Sequence, residues 1–278
     1  RRAPERVASN IAAIPGVQAV ETRITALTTV EIAGVRDPVM AQLLSLPEGR
    51  EPLLNRLALR AGRTVQPGRD DEAVLHEPFA EATGLRPGDT VNILLNGARR
   101  PVRVVGIALS PEYIYAIAPG GLMPDDERFG VVWMGRDALA AAYDMRGAFN
   151  SVSLTLLRGR APQPVIAALD AMLERHGGTG AVARADQISN WFVQNKLAQI
   201  RTMATILPTI FLVVSALLTN AVLARLIAIE RREISLMKAF GYSDLAVGWH
   251  YAKLALVMTA IGVILGWSIG AALGRWNT

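Results

Sequence analysis

The chain of 278 residues contains no cysteine. That excludes a disulfide framework, a thiolate metal site and a thiol nucleophile. Histidine is scarce: the 3 present are His76, His176 and His250, far apart along the chain. His76 stands beside Glu77, but no second ligand follows at metal spacing. The acidic runs Asp70-Asp71-Glu72 and Asp125-Asp126-Glu127 lack the spacing of a calcium loop and read as solvated loop charge. No Ser/His/Asp set is legible, which speaks against catalysis. A GxxxxGK[ST] loop is also missing, so the chain cannot cradle ATP in that way. The net charge of +5 is spread out, with no basic stripe carrying interleaved aromatics, which disfavours a nucleic-acid partner.

Two stretches lack charge of either sign. Met203 to Ala224 and Leu254 to Gly274 hold no Asp, Glu, Lys, Arg or His. As helices rising about 1.5 Å per residue, each reaches about 30 Å, the thickness of a bilayer's hydrocarbon core. Pro208 falls near one end of the first run, where a lost backbone donor costs least. Gly262, Gly266 and Gly270 recur every four residues in the second, the spacing that lets membrane helices approach closely. The loop between the runs carries Arg225, Arg231, Arg232, Lys238 and Lys253 against Glu230, Glu233 and Asp244. The positive-inside rule places such a short basic loop in the cytoplasm. By alternation, the long N-terminal region lies outside. Trp191 and Phe192 on one side, and Trp249 and Tyr251 on the other, suit interfacial belts, while Trp267 and Trp276 suit a second span returning outward.

The N-terminal region reads as α/β. Pro4 to Ile14 has helical spacing of Val7, Ile11 and Ile14, stopped by Pro15-Gly16. Val17 to Val35 has strand character, and a loop-rich region punctuated by Pro38, Pro47, Pro52 and Pro67 follows. Ala73 to Leu75 predicts a short strand, and Glu77 to Thr83 a helix closed by Gly84. Thr90 to Leu95 and Val102 to Leu109 predict a hairpin turning at Asn96-Gly97. A long loop from Pro111 to Glu127 leads to a strand at Gly130 to Met134 and a helix at Arg136 to Tyr143. Ser151 to Leu157 is a strand, Pro164 to Arg175 a helix, and Ala181 to Arg184 a short strand. Asp186 is placed to cap a helix running through Trp191, Phe192 and Leu197 toward the first span. The expectation is an α/β domain with a small β-rich insert. Leu43-Leu44 and the apolar loop Tyr113 to Ala118 read as core or loop packing before cargo contacts.

Residues 229–243 of the connector read Ile-Glu-Arg-Arg-Glu-Ile-Ser-Leu-Met-Lys-Ala-Phe-Gly-Tyr-Ser. Helix formers fill it up to Phe240, Gly241 supplies a left-handed stop, and Ser243 caps the next helix with Asp244 in its first turn. Ile234, Met237 and Phe240 are expected to share one apolar face, open to a partner. This stretch resembles the FtsX-like family of ABC transporter permeases, which includes MacB-type and lipoprotein-releasing permeases. The family pattern is a basic pair, Glu-Ile, apolar residues, a basic residue, then Ala-apolar-Gly and a small residue. Here it is met by Arg231-Arg232-Glu233-Ile234, Leu236-Met237 and Lys238-Ala239-Phe240-Gly241, with Tyr242 bulkier than usual before Ser243. Gly84-Leu85-Arg86-Pro87-Gly88-Asp89, Val104-Val105-Gly106-Ile107 and Leu59-Arg60-Ala61-Gly62-Arg63 are similar to segments of the family's extracytoplasmic domain.

The resemblance implies an α/β extracytoplasmic domain (MacB periplasmic-core-like, with a β-rich insert) plus transmembrane α-helices. The expected layout is an outer domain at 1–195, a stalk and first span at 196–225, a cytoplasmic coupling segment at 226–252 and a second span at 253–278. It implies a bacterial inner-membrane, multi-pass, non-catalytic subunit without a cofactor of its own. Its partners would be a cytoplasmic ABC ATPase, membrane lipid, and a second permease copy or half. The ATPase-coupling residues would be Glu230, Arg231, Arg232, Glu233, Ile234, Met237, Lys238, Phe240 and Gly241. ATP hydrolysis in the partner would reshape the outer domain, for export or extraction of a hydrophobic or lipid-linked substrate or for control of an external protein. The start at Arg1 and the stop at Thr278 lead us to expect cuts in a longer permease with further membrane helices, and the Pro111-Glu112-Tyr113 context is similar to permeases carrying the unit twice. The rival is a sensory receptor with an external ligand domain, which the short cytoplasmic piece disfavours. A membrane-anchored enzyme is disfavoured by the missing catalytic set.

Overall fold

The computed structural model describes residues 2–121 and 123–276. The chain divides into two compact units, Arg1–Leu197 and Ala198–Thr278. The first begins with β1 (Ala3–Pro4), α1 (Val7–Ala12), β2 (Val17–Arg23), β3 (Thr25–Glu31), β4 (Val39–Leu46) and β5 (Ala58–Gly62). There follow β6 (Glu72–His76), α2 (Glu77–Thr83), β7 (Thr90–Leu95), β8 (Ala98–Leu109), β9 (Phe129–Gly135) and α3 (Arg136–Ala142). It closes with β10 (Ala148–Phe149), β11 (Ser151–Leu156), α4 (Pro162–Leu173) and the opening turns of α5 (Ile188–Ile229). The second unit holds the rest of α5, then α6 (Arg231–Ala239) and α7 (Asp244–Trp276).

The chain before β3 and after β10 builds a small layer. There β2 pairs antiparallel with β11, and α1 and α4 bury Val7, Ile11, Val165 and Leu169 with Phe149. Strands β3 to β9 form a seven-stranded mixed sheet ordered β5-β8-β6-β9-β4-β3-β7, while β10 pairs with β1. Because β8 is long, its first half also pairs with β7. Six of the strands therefore close into a ring. Its apolar side packs Val30, Leu43, Leu75, Ile93, Val104 and Val132 against Phe79 of α2 and Leu139 of α3. The opposite side buries Leu44, Val74, Phe129 and Trp133 beneath Ala116 and Tyr113 of the β8–β9 loop.

The predicted hairpin is present, with Asn96 at φ 46° and Gly97 at φ 85°. Two positive φ values in a two-residue loop match the twist of paired strands. Gly84 ends α2 at φ 72°. The expected loop-rich stretch after Val35 instead contains β4 and β5, so the inserted sheet is the larger part of the unit and not a small addition. Leu43 and Leu44 of β4 are both fully buried, so alternation is lost in the second half of the strand, and flanking Pro38 and Pro47 made it read as loop. The strand expected at Ala181 to Arg184 is absent: Arg184–Asp186 is a 3₁₀ turn. Ala181 donates its N–H to Asp170 Oδ1 at 2.7 Å, so that donor is satisfied without a partner strand. Asp186 lies in that turn, and α5 begins after Gln187.

In the second unit, α5 and α7 are long and apolar enough to cross a membrane, over Ser189–Ile229 and Asp244–Trp276. Neither buries its apolar stretch against protein. In water such exposure would be unfavourable at about 25 cal/mol per Å² of apolar area. Side chains at Gly262, Gly266 and Gly270 would meet nothing within 4 Å, so the glycine stripe has no helix against it among the described residues.

Candidate functional site

The connector is a tight corner. Alpha-helical geometry fails at Glu230 alone, which sits between α5 and α6 with φ −88° and ψ 15°. Hydrogen bonds still run through it: Glu230 N–H reaches the Leu226 carbonyl and Ile234 N–H reaches that of Glu230, both at 3.0 Å. The end of α6 is a Schellman turn. Gly241, at φ 87°, donates to the Lys238 carbonyl at 3.0 Å, and Tyr242 donates to that of Met237 at 3.1 Å. Glycine is needed there because a Cβ makes that backbone region costly. Ser243 Oγ then accepts from Ala246 N–H at 3.3 Å and caps α7.

Two contacts pin the corner. Lys238 Nζ lies 2.5 Å from Asp244 Oδ1 across the turn. Tyr251 of α7 donates its hydroxyl to Glu230 Oε2. Val247 and Tyr251 are the buried residues of this unit's described part, with Leu226, Glu230, Ile234 and Met237 half-buried. Tyr251 is therefore an internal fastener of the corner, while Trp249 remains exposed.

The structure splits the expected apolar face. Ile234 and Met237 turn partly inward, and Phe240 is 81% exposed. Leu236, Tyr242 and Leu245, near Phe240 in sequence, are also exposed apolar side chains, the last 86% exposed. Arg231, Arg232 and Glu233 are exposed along the start of α6. The corner thus offers an apolar knob at its tip and charge along its flank. Sequence spacing could not have found the Tyr251 fastener, because its partner lies 21 residues away at the junction of α5 and α6.

In the first unit, the acidic runs do not converge: no group of three metal-ligating side chains occurs among the described residues. Glu72 is taken up by Arg63, with 2.6 and 2.7 Å hydrogen bonds. His76 is fully buried against the edge of Trp133. Leu43 and Leu44 are core, and Ala116 is buried, while Ile114 is half exposed. An open depression of about 450 Å³ lined by Arg6, Ser9, Asn10, Arg175 and His176 is polar and unsuited to an apolar ligand.

Residues 205–277 match the family described as FtsX-like permease C-terminal. No curated protein shows significant similarity to the chain. Among solved structures, the extracellular domain of the noncanonic ABC-type transporter YknZ from Gram-positive bacteria is similar at 16% identity. The match covers 65% of this chain and 87% of that one, with a TM-score of 0.42. The periplasmic region of MacB from Actinobacillus actinomycetemcomitans is similar at 14% identity, over 64% of this chain and 76% of that one, with a TM-score of 0.38. At scores this low the likeness is too loose to transfer a function.

Proposed function

Since residues 205–277 belong to the FtsX-like permease family, we propose that the chain is a permease subunit of an ABC transporter and hydrolyses no ATP itself. The observation that carries the mechanism is the corner between α5 and α7. Phe240 and Leu245 protrude from it beside the rigid Gly241 turn, and Arg231, Arg232 and Glu233 flank them. A partner ATPase would seat Phe240 in an apolar groove and pair with the charged flank. Aromatic side chains that become buried in a partner's pocket near the centre of an interface can carry much of its binding energy. In this reading 226–252 is the cytoplasmic coupling segment, 196–225 and 253–278 cross the inner membrane, and 1–195 lies outside. The loop's excess of Lys and Arg supports that orientation.

The ATPase cycle would then move α5 and α7 and reshape the outer domain. The work would be done on a hydrophobic or lipid-linked substrate, with lipid around the spans and a second permease copy or half completing the transporter. The test is co-purification of the full chain with candidate ABC ATPases in detergent or nanodiscs. Phe240→Asp with Leu245→Asp should weaken capture by roughly 30-fold or more, the scale of losing about 2 kcal/mol at an anchor. Equal capture by wild type and variant would remove the corner from the interface.

A further inference from the structure

The loop between β8 and β9 begins with a segment that touches three separate parts of the first unit. Glu112 accepts from both terminal nitrogens of Arg23, at 2.5 and 2.9 Å, and from Asn55 Nδ2 at 2.7 Å. This ion pair is shielded, its side chains 12% and 18% exposed. Arg23 ends β2 and also donates to Ser153 Oγ of β11 at 2.8 Å, so Glu112 is tied to the small layer. Tyr113 packs edge-on against Trp133 of β9, ring centres 6.5 Å apart, and Ala116 is buried on the same face of the seven-stranded sheet. Tyr115 reaches the third part. Its N–H donates to Ser189 Oγ at 3.3 Å, and its ring lies 6.0 Å from that of Phe192. Arg184, just before α5, donates to the Pro111 carbonyl at 3.3 Å.

We infer that residues 111–116 are a positioning strap that fastens the opening turns of α5 to both sheets and carries displacement of that helix into them. The source of the displacement rests on the proposed function; the fastening does not. Helix ends held by few tertiary contacts fray, and Trp191 is 56% exposed in the same turns. The strap supplies a hydrogen bond and an aromatic contact to the first turns of α5. Its own end is held by a charge pair shielded from solvent, which screening weakens little. A strap anchored at Glu112, Tyr113 and Tyr115 transmits a pull because each anchor grips a different element: β2, β9 and α5.

The experiment is hydrogen exchange on the full chain in nanodiscs, comparing wild type with Glu112→Gln and Tyr115→Ala. Peptides covering 188–197 should exchange roughly tenfold faster or more in both variants, while those covering β6 and β9 stay unchanged. Unchanged exchange at 188–197 in folded variants overturns the strap. If Glu112→Gln also loosens β6 and β9, Phe192→Ala decides alone: faster exchange at 111–116 supports the strap and no change overturns it. A second arm adds the partner ATPase and ATP. Tyr115→Ala should keep ATPase capture yet lose ATP-dependent exchange changes in β2 and β11; retained changes overturn the transmitting role. A wild type that captures no ATPase would fell the proposed function and leave the first arm to judge the strap.

Discussion

Glu72 is buried and takes both terminal nitrogens of Arg63 together with the Gln66 N–H at 3.1 Å. The Arg63 hydrogen bonds outweigh burial and hold its pKa at about 2, below the ordinary 4.5. A carboxylate with a lowered folded pKa stabilises the fold above the ordinary value, and that contribution is lost as pH falls from 4.5 through about 2. Glu72→Gln should destabilise the first unit by about 1–2 kcal/mol at pH 7, since Arg63 is half exposed and solvent weakens its pull. The gap from wild type should close in thermal melts as pH approaches 2. His76 also loses stability on acidification, but for a different reason and over a higher pH window. Its ring is fully buried without a well-formed hydrogen bond. Burial pushes its pKa down to about 4 from 6.5, the Tyr113 backbone offsetting part of the shift. The unfolded chain then binds the proton more readily, so wild-type stability should fall as pH drops from 6.5 to about 4. His76→Leu should flatten melting temperature against pH across that window. The residue types at both sites were visible in the chain. Arg63 lies near Glu72 in sequence, but the pairing and burial were not legible there, and the Trp133 ring beside His76 comes from a strand far along the chain.

At the scale of elements, the turn after α6 was legible because its chemistry is local. Gly241 needs positive φ and Ser243 needs only the next turn's N–H groups, so six adjacent residues specify the geometry. Gly241→Val should strain that turn by about 1–2 kcal/mol. Binding titrations with the partner ATPase should show affinity lowered by about tenfold, and unaltered affinity would separate the turn from docking. The hairpin at Asn96-Gly97 was legible for the same local reason. The strand β4 was not. Packing on both faces of the sheet buries Leu43 and Leu44 alike, which erases the alternation in the second half of the strand. The exposure of Phe240 against the inward turn of Ile234 and Met237 also escaped spacing rules, since α7 decides which side of α6 is covered.

For the whole molecule, the claim with the widest reach is orientation. The absence of cysteine makes a clean test possible: single cysteines at Arg232 and Asp89 can be labelled one at a time. With intact cells and a membrane-impermeant maleimide, Asp89→Cys should label from outside and Arg232→Cys only after lysis. Labelling of both from one face would end the transporter reading. Among the described residues, two helices carry long apolar stretches without protein cover, as that reading requires.

What the sequence determined by itself was whatever short-range chemistry decides: two charge-free spans, the basic corner between them, its glycine stop and serine cap, and the hairpin turn. Tertiary structure alone decided the closed ring of strands, the shielded Arg23–Glu112 pair spanning 89 residues, and the Tyr251–Glu230 fastener. The reason is physical. Capping, backbone conformation and hydropathy act within a turn or two of chain, whereas burial and ion pairing depend on which distant segments the fold brings within a few ångströms.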